Sequence, residues 1–116
     1  MLKVYTGCIK NYTPYNFDVT RKSGHLVFAP TWEIINDYKD GYITKEDYTR
    51  QYIAMLIESY ENYREEWEEL LQRDLVVLVC YCKHHISFCH RYILAKFLKV
   101  LGAEYLGEID ITSPPF

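Results

Sequence analysis

The chain has 116 residues, of which 49% are hydrophobic and 25% are charged, and its formal net charge is −3. This is the composition of one globular domain, and it excludes disordered, collagen-like and coiled-coil proteins. The sequence contains no apolar run of about 18 residues, and its first residues lack the regions of a signal peptide. We therefore expect a cytoplasmic protein without membrane association, whose four cysteines are reduced thiols.

The charge is distributed unevenly along the chain. Residues 1–30 carry four basic side chains and one acidic one, residues 31–74 carry five basic and twelve acidic ones, and residues 75–103 carry four basic ones and no acid. If the first and last of these segments meet in the fold, they form a basic region on an acidic protein. Such a region favours a compact anionic ligand over a long nucleic-acid duplex. The alternative is that the acids simply share one solvated helix face.

The first two thirds of the chain predict two strands and two helical regions. Alternating apolar and polar residues indicate a strand over 2–6 that ends in a loop, and a second strand over 17–20. A short helix is predicted over 32–39. The helical spacing over 45–72 indicates one long helix, or two that meet near 60–62, with an aromatic stripe that belongs to the core.

The last third predicts a strand, a helix and a strand. The unbroken apolar run in 75–81 is typical of a central parallel strand with helices on both faces. An amphipathic helix over 88–101 and a strand over 105–109 follow. The predicted fold is therefore a single α/β domain with a small, mostly parallel sheet of about four strands flanked by helices, which is Rossmann-like.

The most unusual chemistry lies between Cys80 and Arg91, in the loop that joins the central strand to the next helix. Open α/β sheets bind ligands at this position. Cys89 stands at the first turn of the helix beside His90 and Arg91, where N–H groups and cations favour a thiolate. Cys89 is therefore the candidate nucleophile and His90 the candidate acid or base. The same helix start would equally hold a phosphate or carboxylate without a covalent step.

Two further interpretations of the cysteines remain open. Cys80, Cys82 and Cys89, with His85 or His90, are the residue types that bind zinc. Their spacing is unlike that of common zinc sites, and Cys80 could point into the core, so neither a metal nor another cofactor is predicted. The thiols could also be ordinary buried side chains.

The function predicted from these residues is binding or processing of a small anionic, nucleotide-like ligand where the loops after 2–6 and 75–81 converge. The candidate ligand-binding residues are Cys80, Cys82, Arg91, Arg21, Thr6 and Tyr5. The alternative is a noncatalytic interaction protein that binds a macromolecular partner, because the chain has twelve tyrosines and tyrosine is common at interfaces.

A set of short stretches connects the chain to a known family. In chain order they are 3–6, 29–33, 37–41, 43–44, 48–52, 77–81 and 88–91. This set resembles the domain-of-unknown-function 488 family over nearly the whole chain, and its most specific element is a Cys-Tyr pair, a short loop and Phe-Cys-His-Arg. The resemblance implies a small cytosolic α/β protein without an established activity, with Cys80, Cys89, His90 and Arg91 at the site. A glutamate commonly follows the Cys-Tyr pair in that family, whereas this chain has Cys82.

Overall fold

The computed structural model of the chain describes residues 1–82 and 88–109. In chain order its elements are β1 (Lys3–Cys8), β2 (Asn16–Asp18), a 3-10 turn (Leu26–Phe28), α1 (Trp32–Lys39), α2 (Lys45–Asn62), α3 (Arg64–Leu71), β3 (Leu75–Cys80), α4 (His90–Val100) and β4 (Glu104–Glu108). The strands form one sheet in the order β2-β3-β1-β4, and every pairing is parallel. The predicted α/β domain with a four-stranded parallel sheet is confirmed.

Local hydrogen bonds and backbone geometry explain where α2 begins and where it ends. The Thr44 side chain accepts a bond from the Asp47 amide, and the Asp47 carboxylate accepts one from the Thr44 amide, so a capping box starts α2. At Tyr63 the backbone leaves helical geometry (φ −125°, ψ 43°), which separates α2 from α3. The region predicted as one helix or two is therefore two. Within residues 1–82 and 88–109, no helix has the length and hydropathy needed to cross a bilayer.

The main core lies between the helices and one face of the sheet. Val76 and Leu78 of β3 contribute to it from the sheet, and side chains from all four helices pack against them. The aromatic stripe predicted to be core is confirmed, because Tyr48, Tyr52 and Trp67 are all buried. Burial of such large side chains is the principal stabilising contribution to a domain of this size.

The sequence predicted helices on both faces of β3, and for the opposite face of the sheet this prediction was wrong. Val77 and Val79 of β3 are each 1% exposed, but in the described chain their cluster contains no helical residue. Tyr5, Ile9 and Ile109 cover them instead. Because β3 lies between β1 and β2, the connection that contains Ile9 must cross β3 to join the two strands. A loop that crosses the sheet can thus bury the second face of an apolar strand. The apolar run alone predicted that a second layer of helices buries this face.

The sheet order determines which residues meet at the carboxyl end of β3. Cys8 and Cys80 are partners in the last rung between β1 and β3, and Thr6 is the partner of Glu108 on the other side of β1. The predicted strand, helix and strand unit is confirmed as β3, α4 and β4, with β1 between the two strands. The start of α4 and the end of β4 are therefore both brought to the edge where β3 ends.

Candidate functional site

Three of the four cysteines meet where β3 ends and α4 begins. The sulfur atoms of Cys80, Cys82 and Cys89 all lie within 4.8 Å of one another, and those of Cys80 and Cys89 are 3.1 Å apart. Cys80 is the last residue of β3, and Cys89 is the N-cap residue of α4. The side chain of Cys80 thus faces the other two thiols. We call these three residues the cysteine cluster. Cys8 lies outside it.

Arg91 is buried beneath the cysteine cluster. Its side chain is 0% exposed; Nη2 donates to Oε2 of Glu108 at 2.8 Å, and Nη1 donates to Sγ of Cys80 at 2.9 Å. Burial alone would lower the pKa of Arg91, but the Glu108 carboxylate and the neighbouring sulfur atoms outweigh burial, so this pKa is raised. The arginine that the sequence assigned to an anionic ligand is therefore engaged by a carboxylate of the protein itself.

The negative charge of the cluster is favoured at Cys82. The pKa of the Cys82 thiol is lowered to about 3, because the thiols of Cys80 and Cys89 donate hydrogen bonds to its sulfur and the guanidinium of Arg91 attracts the charge. The pKa of Cys89 is raised, since its hydrogen bonds to Cys80 and Cys82 keep its proton in place and burial disfavours a charge. The structure thus favours the thiolate at Cys82, whereas the sequence predicted it at Cys89.

His90 is held as a neutral imidazole with a defined proton position. Nε2 lies 2.9 Å from the carbonyl oxygen of Val19, and a carbonyl only accepts, so the proton is on Nε2. Burial lowers the pKa of His90, which keeps the ring neutral. The lone pair on Nδ1 then faces Sγ of Cys89 at 3.9 Å. This arrangement suits the predicted acid or base role, because Nδ1 is the nitrogen able to take a proton near the cluster.

A cavity of about 480 Å³ opens beside the cysteine cluster, a volume typical of small-molecule sites. All three clustered cysteines and His90 line it, together with side chains from the turn after β2, α1, α2 and the segments flanking the cluster. The other described residues that line it are Thr20, Arg21, Lys22, Trp32, Ile35, Tyr38, Lys39, Tyr48, Tyr81 and Phe88. We call this cavity the thiol pocket. Five of these side chains are aromatic, and two of them, Trp32 and Tyr81, are about half exposed at 52% and 49%.

Apart from the thiolate of Cys82, the charged side chains among the described residues of the thiol pocket are basic. Arg21, Lys22 and Lys39 line it, and no acidic side chain does so within the described part of the chain. Neither lysine forms an ion pair with any acidic residue among residues 1–82 and 88–109. Lys22 also lies over the ring of Tyr81, with Nζ 5.6 Å from the ring centroid. The pocket is thus locally cationic in a protein whose net charge is negative.

The turn that carries Lys22 is fixed by Asp18. The Asp18 carboxylate accepts hydrogen bonds from the Thr20 amide and from the Ser23 hydroxyl, and Ser23 Oγ in turn lies 2.8 Å from the Tyr81 hydroxyl. The turn closes so tightly that a Cβ on Gly24 would lie 2.3 Å from the Asp18 carbonyl oxygen. Only glycine fits this approach without a backbone shift.

Arg21 lines the thiol pocket but is also engaged by the backbone. Its Nε donates to the carbonyl of Pro30 and its Nη2 to that of Ala29, both at 2.8 Å. Thr6 and Tyr5 do not line the pocket. Thr6 is 0% exposed and hydrogen-bonded to the Tyr105 hydroxyl, while Tyr5 packs on the opposite face of the sheet. β1 extends to Cys8, so both residues stand within the strand rather than at its end.

Sequence patterns did not identify Lys22, Lys39 or Glu108 as residues of the site. Lys22 and Lys39 are separated from the cysteines by more than forty positions, and Glu108 belongs to β4. The basic character of residues 1–30 was a signal for Lys22, whereas Lys39 belongs to the acidic segment 31–74, which gave no signal. His85, proposed as a zinc ligand, lies outside the described residues.

A comparison with protein families identifies the chain's relatives. The family model described as the Active DUF488-N3 subclade (DUF488-N3a) matches residues 20–102. The chain belongs to this family. The match contains the whole cysteine cluster, His90 and Arg91, and the predicted resemblance to the domain-of-unknown-function 488 family is confirmed. No curated protein and no solved structure matches the chain significantly.

Proposed function

We propose that the protein binds a small, flat, anionic ligand of nucleotide-like character in the thiol pocket. The observation that carries this proposal is the lining of the pocket, which combines three basic side chains with aromatic walls and, among the described residues, no acid. Cationic side chains bind phosphate or carboxylate groups, and exposed aromatic rings such as those of Trp32 and Tyr81 stack on planar groups. This division of roles moves anion binding from Arg91 to Lys22 and Lys39.

We assign the chemistry of the pocket to Cys82. It is the most exposed thiol of the cysteine cluster and lines the pocket, whereas Cys80 and Cys89 are 1% and 5% exposed. A thiol that accepts hydrogen bonds from its neighbours and is open to a bound ligand has the features of a nucleophile. The proton acceptor that we propose beside the cysteine cluster is Nδ1 of His90, which lies 3.9 Å from Sγ of Cys89.

The alternative of a tyrosine-rich interaction protein has weaker support. Its exposed tyrosines occupy four separate connections of the chain and so do not form one stripe along an element; they are Tyr12, Tyr15, Tyr42, Tyr63 and Tyr81. The cytoplasmic location expected from the sequence stays part of this proposal.

The test is a calorimetric titration of metal-free protein with adenosine monophosphate and, separately, with inorganic phosphate. We expect the nucleotide to bind more tightly than phosphate, because it also contacts the aromatic walls. The double variant Lys22→Gln/Lys39→Gln should weaken nucleotide binding about tenfold, as expected for two exposed charges. Lys99→Gln is the matched control, since Lys99 is exposed on α4 and does not line the pocket.

Two results would overturn the proposal. One is that neither adenosine monophosphate nor inorganic phosphate binds to the wild-type protein. The other is equal weakening by Lys99→Gln and by the double variant, which would indicate a general effect of net charge rather than a site.

A further inference from the structure

We propose that Cys80, Cys82 and Cys89 form a binding site for a thiophilic divalent cation, with Zn²⁺ as the ligand. The inference starts from the convergence of the three sulfur atoms within 4.8 Å of one another. Around a tetrahedral zinc ion with Zn–S bonds of about 2.3 Å, the sulfur atoms are about 3.8 Å apart. The separation of 3.1 Å between Cys80 and Cys89 and the 4.8 Å limit bracket this value. Shifts of less than about 1 Å therefore convert the cluster into a coordination site.

The backbone explains why three sulfur ligands meet without a familiar zinc motif. Cys80 ends β3 and Cys82 follows it by two residues, so both lie at the carboxyl edge of the sheet. Cys89 returns to the same edge because it caps α4, which packs on β1 and β3. The ligand set is therefore assembled by the fold and not by a compact sequence repeat. This is why the spacing of the cysteines argued against zinc when the sequence was considered alone.

The surroundings of the cluster match those of metal-bound thiolates. Nη1 of Arg91 donates to Sγ of Cys80 at 2.9 Å, and hydrogen bonds of this kind orient metal ligands and offset their charge. Arg91 is itself fixed by Glu108, so its guanidinium is held in place before any ion arrives. Binding of an ion would thus require little rearrangement beyond the sulfur atoms and loss of their protons.

The fourth coordination position would face the thiol pocket. All three cysteines line that cavity, so an ion among their sulfur atoms is open on the cavity side. Zinc sites with three protein ligands and one open position are typical of catalytic rather than structural zinc. The open position would take water or an anionic group of a ligand. The inference depends on the geometry of the cysteine cluster alone, so it stands whether or not the pocket binds a nucleotide. With the ion bound, Cys82 is a metal ligand, and the nucleophile role proposed above belongs to the metal-free protein.

The test uses the full chain, reduced and freed of metal, titrated with Zn²⁺ against a chromophoric chelator and separately with Co²⁺. We expect one equivalent of Zn²⁺ to bind and Co²⁺ to give thiolate-to-metal charge-transfer absorption. Cys82→Ser and Cys89→Ser should each weaken binding at least about tenfold, because each removes one of three ligands. Cys8→Ser is the matched control, since Cys8 is a buried thiol outside the cluster.

Folding of each variant is checked by circular dichroism, and Cys82→Ser decides the question if Cys89→Ser does not fold, because Cys82 is the less buried residue. In wild-type protein, bound Zn²⁺ should also protect Cys82 from alkylation. Three results would each overturn the inference. They are binding of less than one equivalent of Zn²⁺, a Co²⁺ spectrum without thiolate-to-metal charge-transfer bands, and Zn²⁺ binding that Cys82→Ser leaves unchanged. Nucleotide binding by metal-free protein is measured separately, so failure of this inference is distinguishable from failure of the proposed function.

Discussion

The two sides of the cysteine cluster use basic side chains in different ways. On the interior side, Arg91 is 0% exposed and donates to Glu108 and Cys80, so its charge is balanced within the protein. On the pocket side, Lys22 and Lys39 line a cavity that has no acidic side chain in the described part of the chain. The difference teaches that basic side chains with the same formal charge can differ in role: the charge of Arg91 is neutralised inside the protein, whereas the lysines of the pocket are accessible to a ligand.

Removing Glu108 should have the largest effect, and it tests whether the interior side is structural. Glu108→Ala leaves the buried Arg91 without its carboxylate, so the free energy of unfolding should fall by about 3–5 kcal/mol. The measurement is urea denaturation followed by circular dichroism. Lys39→Gln on the pocket side is the control and should change stability by less than about 0.5 kcal/mol.

The double variant Arg91→Met/Glu108→Leu sharpens the same point. It removes both charges together, so it should recover part of the stability that Glu108→Ala loses. Equal stability of Glu108→Ala and Lys39→Gln would contradict the distinction between the two sides, because the ion pair would then contribute nothing measurable.

Thiol reactivity gives the next largest contrast. Cys82 reaches the pocket, whereas Cys80 and Cys89 are 1% and 5% exposed. In metal-free, reduced protein, iodoacetamide should modify Cys82 at least about tenfold faster than either of them. Peptide mapping by mass spectrometry at early times identifies the modified residue, and Cys82→Ser should remove the fast phase. Faster modification of Cys89 would instead support the assignment made from the sequence.

The sequence predicted the elements well because their signals are local. The apolar run of β3, the amphipathic pattern of α4 and the Cys-Tyr and Phe-Cys-His-Arg residues all lie within short windows. The partner of Arg91 could not be predicted in this way. Glu108 reaches it because β4 pairs with β1 and the register shifts between Val4 and Tyr5, and no local pattern specifies either fact.

The same reasoning explains the misplaced binding residues. Thr6 was expected at a strand end, but β1 continues to Cys8 and leaves Thr6 inside the sheet. Lys22 reaches the pocket only because the turn after β2 folds back on Asp18, an arrangement made by side-chain hydrogen bonds. Strand ends and turn conformations depend on tertiary contacts, so they are the least predictable parts of a site.

Thr6 provides a smaller test of the interior side. Thr6→Val keeps the shape of the side chain but removes the hydrogen bond between its Oγ1 and the Tyr105 hydroxyl, which is 2.9 Å long. The free energy of unfolding should fall by about 0.5–1.5 kcal/mol, and nucleotide binding should be unchanged. Tyr105→Phe removes the same bond from the other partner. Weaker nucleotide binding by Thr6→Val with unchanged stability would return Thr6 to the ligand site.

The smallest effect is expected on the pocket side, where Asp18 makes part of the stability depend on pH. Partial burial raises the pKa of the Asp18 carboxyl, but the hydrogen bonds from Ser23 and Thr20 outweigh burial, and the net result is a pKa below the usual value of 3.8. A lowered pKa in the folded state means that the stabilisation is fully present above 3.8 and is lost as the pH falls through the folded value. The stability difference between wild type and Asp18→Asn should therefore shrink in acid. Urea denaturation from neutral pH to below 3.8 measures this difference.

Ser23→Ala, which removes one of the hydrogen-bond donors to Asp18, should reduce the same pH dependence, because the effect arises from the donors rather than from the charge alone. A difference that stays constant over this pH range would show that Asp18 holds the Lys22 turn without contributing through its ionisation.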